Sequence, residues 1–167
     1  MPKRVIVVSD SHGDEYGLRM ALEQAARCGK MDAAVFLGDG MQDFESVKPL
    51  LYDLGTVCYA VTGNNDWLSQ EQQELLFTAN GVRIFACHGH TRYVKYTLDR
   101  LWYAAREREA QVVLYGHTHR EKIEQEHGMY MINPGAVCER NRLRSAYAEL
   151  LIEDNGFVQA RLVKWEA

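Results

Sequence analysis

No stretch of this 167-residue sequence is apolar for long enough to span a membrane, and Met1-Pro2-Lys3-Arg4 opens onto only four aliphatic residues before Ser9-Asp10. That is too short for a secretory signal core or a spanning helix. The four cysteines, Cys28, Cys58, Cys87 and Cys138, form no CxxC pair. Zinc-knuckle and thiol-redox readings therefore fall away, and reduced thiols in a cytoplasmic protein are expected, with Cys87 read as core at the end of an apolar run. Neither sign of charge dominates: 19 Lys and Arg stand against 23 Asp and Glu, a formal net charge of −4. Nucleic acid and anionic membrane are thus not indicated as partners, and a small-molecule substrate is the simpler expectation. Repeats, low-complexity tracts and linkers are missing as well. A single domain over residues 1–167 is expected, long enough to bury a real core.

What is present is an alternation of apolar periods. A strand over Arg4–Ser9 precedes a helix marked by Leu18, Ala21, Leu22, Ala25 and Ala26, with Asp14 placed to cap it and Gly29 to end it. A second strand, Ala33–Leu37, precedes a helical face of Phe44, Val47, Leu51 and Leu54, whose middle Pro49 leaves open, and then a strand over Val57–Val61. Strands alternating with helices imply parallel pairing and right-handed crossovers. Beyond Gly63 the pattern changes: Glu74–Thr78 and Val82–Cys87 flank Asn80-Gly81, a tight-hairpin signal. After a helix with Leu98, Leu101, Trp102 and Ala105 on one face and a strand over Val112–Tyr115, the rest reads as strands. These are Lys122–Glu126, Met129–Ile132, Ala146–Ile152 and Phe157–Trp165, with turns at His127-Gly128 and Asn155-Gly156. The second half is expected to be mostly antiparallel. Together these periods predict an α/β (α+β) fold, a four-layer αββα sandwich with two mixed sheets face to face and helices outside.

Five of the six histidines fall in three short stretches, Asp10-Ser11-His12, His88-Gly89-His90 and Gly116-His117-Thr118-His119, each directly after an apolar strand. Gly38-Asp39 and Gly63-Asn64 obey the same rule. Open parallel sheets carry their functional groups beyond the carboxyl ends of strands. Asp10, His12, Asp39, Asn64, His88, His117 and His119 therefore form a candidate ligand set of oxygen and imidazole donors, suited to transition metals or magnesium rather than calcium. Each alone has an ordinary explanation: a cap for Asp10, a turn for Asp39, an Asx turn for Asn64, a hydrogen-bonded side chain for any one histidine. Five such motifs in order do not.

DxH, GD, GN followed by an acidic residue, HGH and GHTH, in that order, resemble the calcineurin-like metallophosphoesterases, over nearly the whole chain and most closely their small bacterial and archaeal phosphodiesterase branch. The resemblance implies two divalent cations, manganese first, with iron, nickel, cobalt, zinc or magnesium as alternatives. It assigns Asp10, His12 and His119 to the first and Asn64, His88 and His117 to the second, bridged by Asp39. It also implies hydrolysis of a phosphate ester, a diester before a monoester, by hydroxide held between the cations. Asp39, Asn64, His90 and Asp66 are then the catalytic set. His88 and His90 compete for one ligand position, and His88 matches the family.

The sequence departs from the pattern at Asn65, where many superfamily members carry a proton-donating histidine. Water or His90 is expected to supply that proton, and Asp66 to orient a ligating histidine. Asn133-Pro134-Gly135 resembles the turn that walls the last histidines in the family. Arg120, Arg140, Arg142 and Arg144 read as solvated, Asp43 and Glu45 as helix-start residues, and His127 as surface. Tyr93, Tyr96 and Tyr103 would cover the site or an interface, compatible with a homo-oligomer, while Trp102 lies on an apolar helix face. Two other classes fit less well: a protein-interaction scaffold of the same fold, which would have no reason to keep the whole ligand set, and an amidohydrolase, whose HxH opens the chain rather than closing it.

Overall fold

The computed structural model describes residues 1–166 and contains, in chain order, β1 (Lys3–Val8), α1 (Glu15–Arg27), β2 (Ala33–Phe36), α2 (Met41–Asp53), β3 (Val57–Ala60), β4 (Glu74–Ala79), β5 (Val82–Cys87), α3 (Asp99–Glu107), β6 (Val112–Leu114), β7 (Lys122–Glu126), β8 (Met129–Asn133), β9 (Ser145–Ile152) and β10 (Val158–Lys164). They form two mixed five-stranded sheets, ordered β10-β9-β1-β2-β3 and β4-β5-β6-β8-β7.

The strands explain the layering. Along β1, Val5 and Val7 face one core while Ile6 and Val8 face another, and on β2 Ala33 and Val35 separate from Ala34 and Phe36 in the same way. In the second sheet, Ile84, Ala86, Val112, Leu114 and Ile132 join Val5, Val7 and Val35 in the central core, which lies between the sheets. The outer face of the first sheet is covered by Leu18, Leu22, Phe44 and Leu51 of α1 and α2, and that of the second by Leu101 and Ala105 of α3. Side chains alternate across a strand, so a strand buried on both faces must be apolar at nearly every position. That is why β2 and β6 are apolar throughout and β1 and β5 are apolar from Val5 and Ile84 onward, and it yields the four-layer αββα sandwich.

Local chemistry sets the ends. The Asp14 carboxylate accepts the Gly17 N–H at 2.9 Å and caps α1. Asn80 and Gly81, and His127 and Gly128, all have positive φ, as a tight hairpin turn requires, and they close the β4–β5 and β7–β8 pairs. One expectation needs correction, at Leu54, and two others are made specific. Pro49 does not break α2: it lies on the exposed side, where water can satisfy the carbonyl it leaves unpaired. Leu54 is the C-cap residue of α2 and is largely exposed, not part of its apolar face. The second half is mostly antiparallel, as expected, in the β4–β5, β7–β8 and β9–β10 pairs, but β5, β6 and β8 run parallel. α3 carries the chain across between β5 and β6, and β7 folds outward so that β8 can pair with β6.

Among the described residues all four cysteines are free, and burial pushes the Cys87 thiol up to about 12, an inert core thiol beneath α3. No helix of the described chain is long and apolar enough to cross a membrane.

Candidate metal centre

The parallel strands β1, β2 and β3 of one sheet and β5 and β6 of the other end on the same side, and the turns that follow them carry every candidate ligand. The backbone leaves these strands abruptly. Asp10, His12, Asp39, His117 and His119 all adopt positive φ, between 47° and 71°. That left-handed conformation is uncommon for residues with a side chain. Here it turns five side chains back over the sheet edge.

They converge in two groups of three, each offering one donor atom per residue within 4.8 Å of the others: Asp10, His12 and His119, and Asp39, His88 and His117. In the first, His12 Nε2 and His119 Nε2 lie 3.0 Å apart, and Asp10 Oδ1 is 3.3 and 3.2 Å from them. In the second, His88 Nε2 is 3.2 Å from His117 Nδ1 and 3.4 Å from Asp39 Oδ2. The carboxylates stand on the border between the groups, with Asp10 Oδ1 3.9 Å from His88 and Asp39 Oδ2 3.8 Å from His12.

The donors are held from behind. Asp10 Oδ2 accepts from Ser9 Oγ and from the His117 backbone N–H, which leaves Oδ1 buried and without a hydrogen-bond donor. His88 Nδ1 lies 2.7 Å from the Leu37 carbonyl, so that nitrogen carries the proton and Nε2 is turned into the site. Asn133 Nδ2 bonds Gly116 O and Thr118 Oγ1 at 3.2 and 2.9 Å, while Asn141 Nδ2 holds His119 O at 2.9 Å. The Asn133-Pro134-Gly135 turn therefore braces the histidine loop. Gly116 permits the packing, since a Cβ there would lie 2.7 Å from Asp10 Oδ2.

Electrostatics follow from this crowding. Burial raises the Asp10 carboxyl, but His119 and His12 outweigh it and hold the group well below the usual carboxylate range. At Asp39 burial is again overcome, by His88 and then Asn65, giving about 2. His12 is raised by Asp10, and His88 is raised because Asp39 and Asp10 outweigh its burial. Burial, His88 and Lys95 push His117 down to about 4, so it is a neutral imidazole with a lone pair to offer. An orphaned buried carboxylate oxygen amid facing imidazole nitrogens is an arrangement that cations relieve, and this mixed nitrogen and oxygen set fits divalent transition metals.

The remaining predicted residues are distributed around the two groups. Asn64 follows Gly63 on the loop after β3 and is exposed, its carbonyl accepting the Trp67 indole N–H at 2.7 Å. His90 belongs to neither group. Its ring lies 5.4 Å from that of His88 and 6.2 Å from that of His117, and its buried Nδ1 has no partner. Asp66 does not contact a histidine, contrary to expectation. Its carboxylate accepts the backbone N–H groups of Asp39, Gly40, Met41 and Gly63 at 2.7 to 2.9 Å. It thereby caps α2 from another loop, where Gly40 has no side chain to do so, and fixes the Asp39 turn.

Asn65, which the sequence marks only as the place of a missing proton donor, has a positive role in the structure. Its backbone N–H and Nδ2 each donate to one Asp39 oxygen at 2.9 Å, gripping the carboxylate at both ends. Asp43 was likewise passed over: it is buried, and Oδ2 accepts from Ser11 Oγ at 2.6 Å and the Gly13 N–H at 2.9 Å, bracing the His12 loop. Arg142 and Arg144 pair with Asp14 and Glu121 rather than standing free. Tyr93, Tyr96 and Tyr103 are exposed, while Trp102 packs against the α3 core and the exposed His127.

Comparison with known proteins gives a consistent picture. Residues 4–155 match the calcineurin-like phosphoesterase superfamily domain. A Bacillus subtilis protein named probable metallophosphoesterase YsnB is 34% identical over 153 residues, covering 90% of this chain and 85% of the relative. A phosphodiesterase of Methanocaldococcus jannaschii is 26% identical over 149 residues, 81% of this chain and 84% of that one. A crystal structure from Streptococcus pneumoniae, described as a predicted phosphoesterase, superposes with a TM-score of 0.76 at 26% identity, over 97% of this chain and 98% of the other.

Proposed function

Since the chain belongs to the calcineurin-like phosphoesterase superfamily, we propose that it hydrolyses phosphodiesters at a centre of two divalent cations, one held by Asp10, His12 and His119, the other by His88, His117 and Asn64, with Asp39 shared. The observation that supports this reading is the pair of three-donor groups with both carboxylates on their common border. Such a pair of cations supplies, when bound, Lewis acidity toward the phosphoryl oxygens and a water acidic enough to attack at neutral pH. Manganese suits the mixed donors and is the cation to supply first.

The chain's own part is orientation and proton supply. Asn65 and Asp66 fix Asp39, one by gripping its carboxylate and the other by pinning its backbone, and Ser9 with the His117 N–H fixes Asp10. These contacts are made before substrate arrives, so no ordering cost falls on the reaction. The departing alkoxide needs a proton, and Asn65 has none to titrate. His90, with its unpartnered Nδ1 and its ring 5.4 Å from that of His88, is assigned that delivery, against burial and His88, which both push its imidazole below the ordinary histidine range and favour its neutral form. His90→Ala is expected to slow esters of alkyl alcohols by at least about tenfold while barely changing p-nitrophenyl esters, whose leaving group needs no proton. Equal effects on both, in steady-state rates, would remove His90 from proton delivery.

A cytoplasmic enzyme acting on a small phosphoester is the reading carried forward; among the described residues the four cysteines are free and no helix is long and apolar enough to cross a membrane. The test is to count bound metal and assay bis(p-nitrophenyl) phosphate and p-nitrophenyl phosphate with manganese and after chelation. Turnover should fall by about a hundredfold or more on chelation and return with manganese, with the diester preferred. A protein with two bound ions and no turnover of any ester would be a scaffold instead, and a preference for the monoester would make it a monoesterase.

A further inference from the structure

Beside the two ligand groups opens a cleft of about 1190 Å³, with His12 and Asp39 at one end and the first turns of α2 and the loop carrying Trp67 as its walls. Trp67 and Leu68 are 86% and 88% exposed, so neither contributes to the core. Yet the indole is not free to wander. Its N–H is tied to the Asn64 carbonyl at 2.7 Å, and the preceding residue, Asp66, is bonded to four backbone N–H groups, among them those of Asp39 and Gly63. Trp67 is therefore an exposed aromatic face whose backbone is anchored to the same turn that carries Asp39. An aromatic ring held in solvent on a rigid loop, at the mouth of a cleft that ends on the reacting groups, is placed to receive a flat ligand.

The charge of the cleft narrows that ligand. Among the described residues, the lining includes Asp43, Glu45 and Glu71 but no lysine or arginine. The nearby Lys48 ammonium is taken up by Glu45 at 2.7 Å and Glu71 at 3.9 Å. Arg19 reaches the rim, its Nη2 3.5 Å from the Ser46 carbonyl, but within the lining itself a further phosphate on the substrate arm would meet carboxylates and no cation, whereas an uncharged ring would not.

On the reading that the centre hydrolyses phosphodiesters, we propose that this cleft selects the ester arm: it takes a planar, uncharged ring, nucleoside or aryl, stacked on Trp67, and rejects arms bearing additional phosphates. The substrates so defined are diesters of a single phosphate with an aromatic arm, as opposed to pyrophosphates, polynucleotides and purely aliphatic diesters. Stacking of a ring on an aromatic side chain supports a tenfold effect per ring.

The experiment compares kcat/KM of the manganese-loaded protein for bis(p-nitrophenyl) phosphate and for glycerophosphoglycerol, in wild type, Trp67→Ala and Trp67→Phe. The aromatic-to-aliphatic ratio should fall by about tenfold in Trp67→Ala, mainly through KM, and recover in Trp67→Phe. An unchanged ratio overturns the proposal. As competitive inhibitors, adenosine monophosphate should bind at least about tenfold more tightly than adenosine triphosphate, and Glu45→Lys should narrow the gap; an equal or tighter triphosphate in wild type overturns the charge selection. If the wild type turns over no diester at all, the hydrolytic reading falls and the cleft is judged separately. Adenosine monophosphate would then have to quench indole fluorescence in the wild type but not in Trp67→Phe, and no quenching would overturn the stacking site.

Discussion

Replacing Asp39 by Asn is expected to abolish metal-dependent turnover, by at least about 10³-fold in kcat/KM or about 4 kcal/mol of transition-state stabilisation, while leaving a folded protein. The substitution suits the position. Asp39 has φ of 61°, and Asn tolerates the left-handed region better than Ala, so the backbone is not additionally strained. What changes is the site. Asp39 Oδ2 lies between His88 at 3.4 Å and His12 at 3.8 Å, one from each ligand group, and the carboxylate is the charge both groups share. An amide keeps one oxygen acceptor and no charge, and its NH₂ would face one of the two Asn65 N–H donors, which then has no acceptor. The measurements are metal content after dialysis and diester turnover at saturating manganese. Two retained ions with turnover within tenfold of wild type would show that Asp39 is not shared between cations.

The largest effect on the fold near the site is expected from Gly63→Ala. The φ of Gly63 lies outside the left-handed region, so conformational freedom is not the reason for glycine here. Contact is. A Cβ on residue 63 would lie 2.6 Å from the Asp39 backbone nitrogen and 2.8 Å from its Cγ, and a Cβ on Gly38 would in turn lie 2.5 Å from the Gly63 nitrogen, so the two loops meet backbone to backbone. Asp39 cannot retreat, because Asp66 and Asn65 hold its backbone and carboxylate. Forced separation of the two loops should cost about 3 kcal/mol and lower Tm by about 6–12 °C, with turnover falling in parallel. Gly55→Ala serves as the control, since its left-handed φ of 74° costs conformational energy but nothing lies within 4 Å of the added carbon. If the two variants lose equal stability, crowding at the Asp39 turn is not what fixes residue 63.

How much of this was legible in the sequence differs between backbone and side-chain detail. β1 and β2 announced themselves because a strand covered on both faces must be apolar at nearly every position, and the three Gly-containing hairpin turns because each sets a glycine at positive φ. Placement of the ligands at strand ends followed from the same periodicity. The parallel seating of β8 beside β6 was not legible, since it depends on β7 folding outward, and nothing in the period of a strand states which neighbour it takes. The partners of Asn65 and Asp66 were hidden for a related reason. Both reach Asp39, 26 and 27 residues away in sequence, across a contact that exists only once β3 lies beside β2. Asn65 looked like a missing acid when read one residue at a time; in space it is the clamp on the carboxylate. Asp43 was read as a helix-start residue, which its position in α2 allows, but its oxygen is spent on the His12 loop.

The left-handed backbone of Asp10, His12, Asp39, His117 and His119 also bears on how such a chain can change over generations. At roughly 1 kcal/mol each, five such positions sum to about 5 kcal/mol, comparable to the whole net stability of an ordinary domain. Glycine would relax that strain at any of them, at the loss of a candidate metal donor. Selection for stability alone therefore pulls these five sites away from the residues they hold, and a lineage released from the chemistry would shed them first, becoming a sturdier protein as it became an inert one.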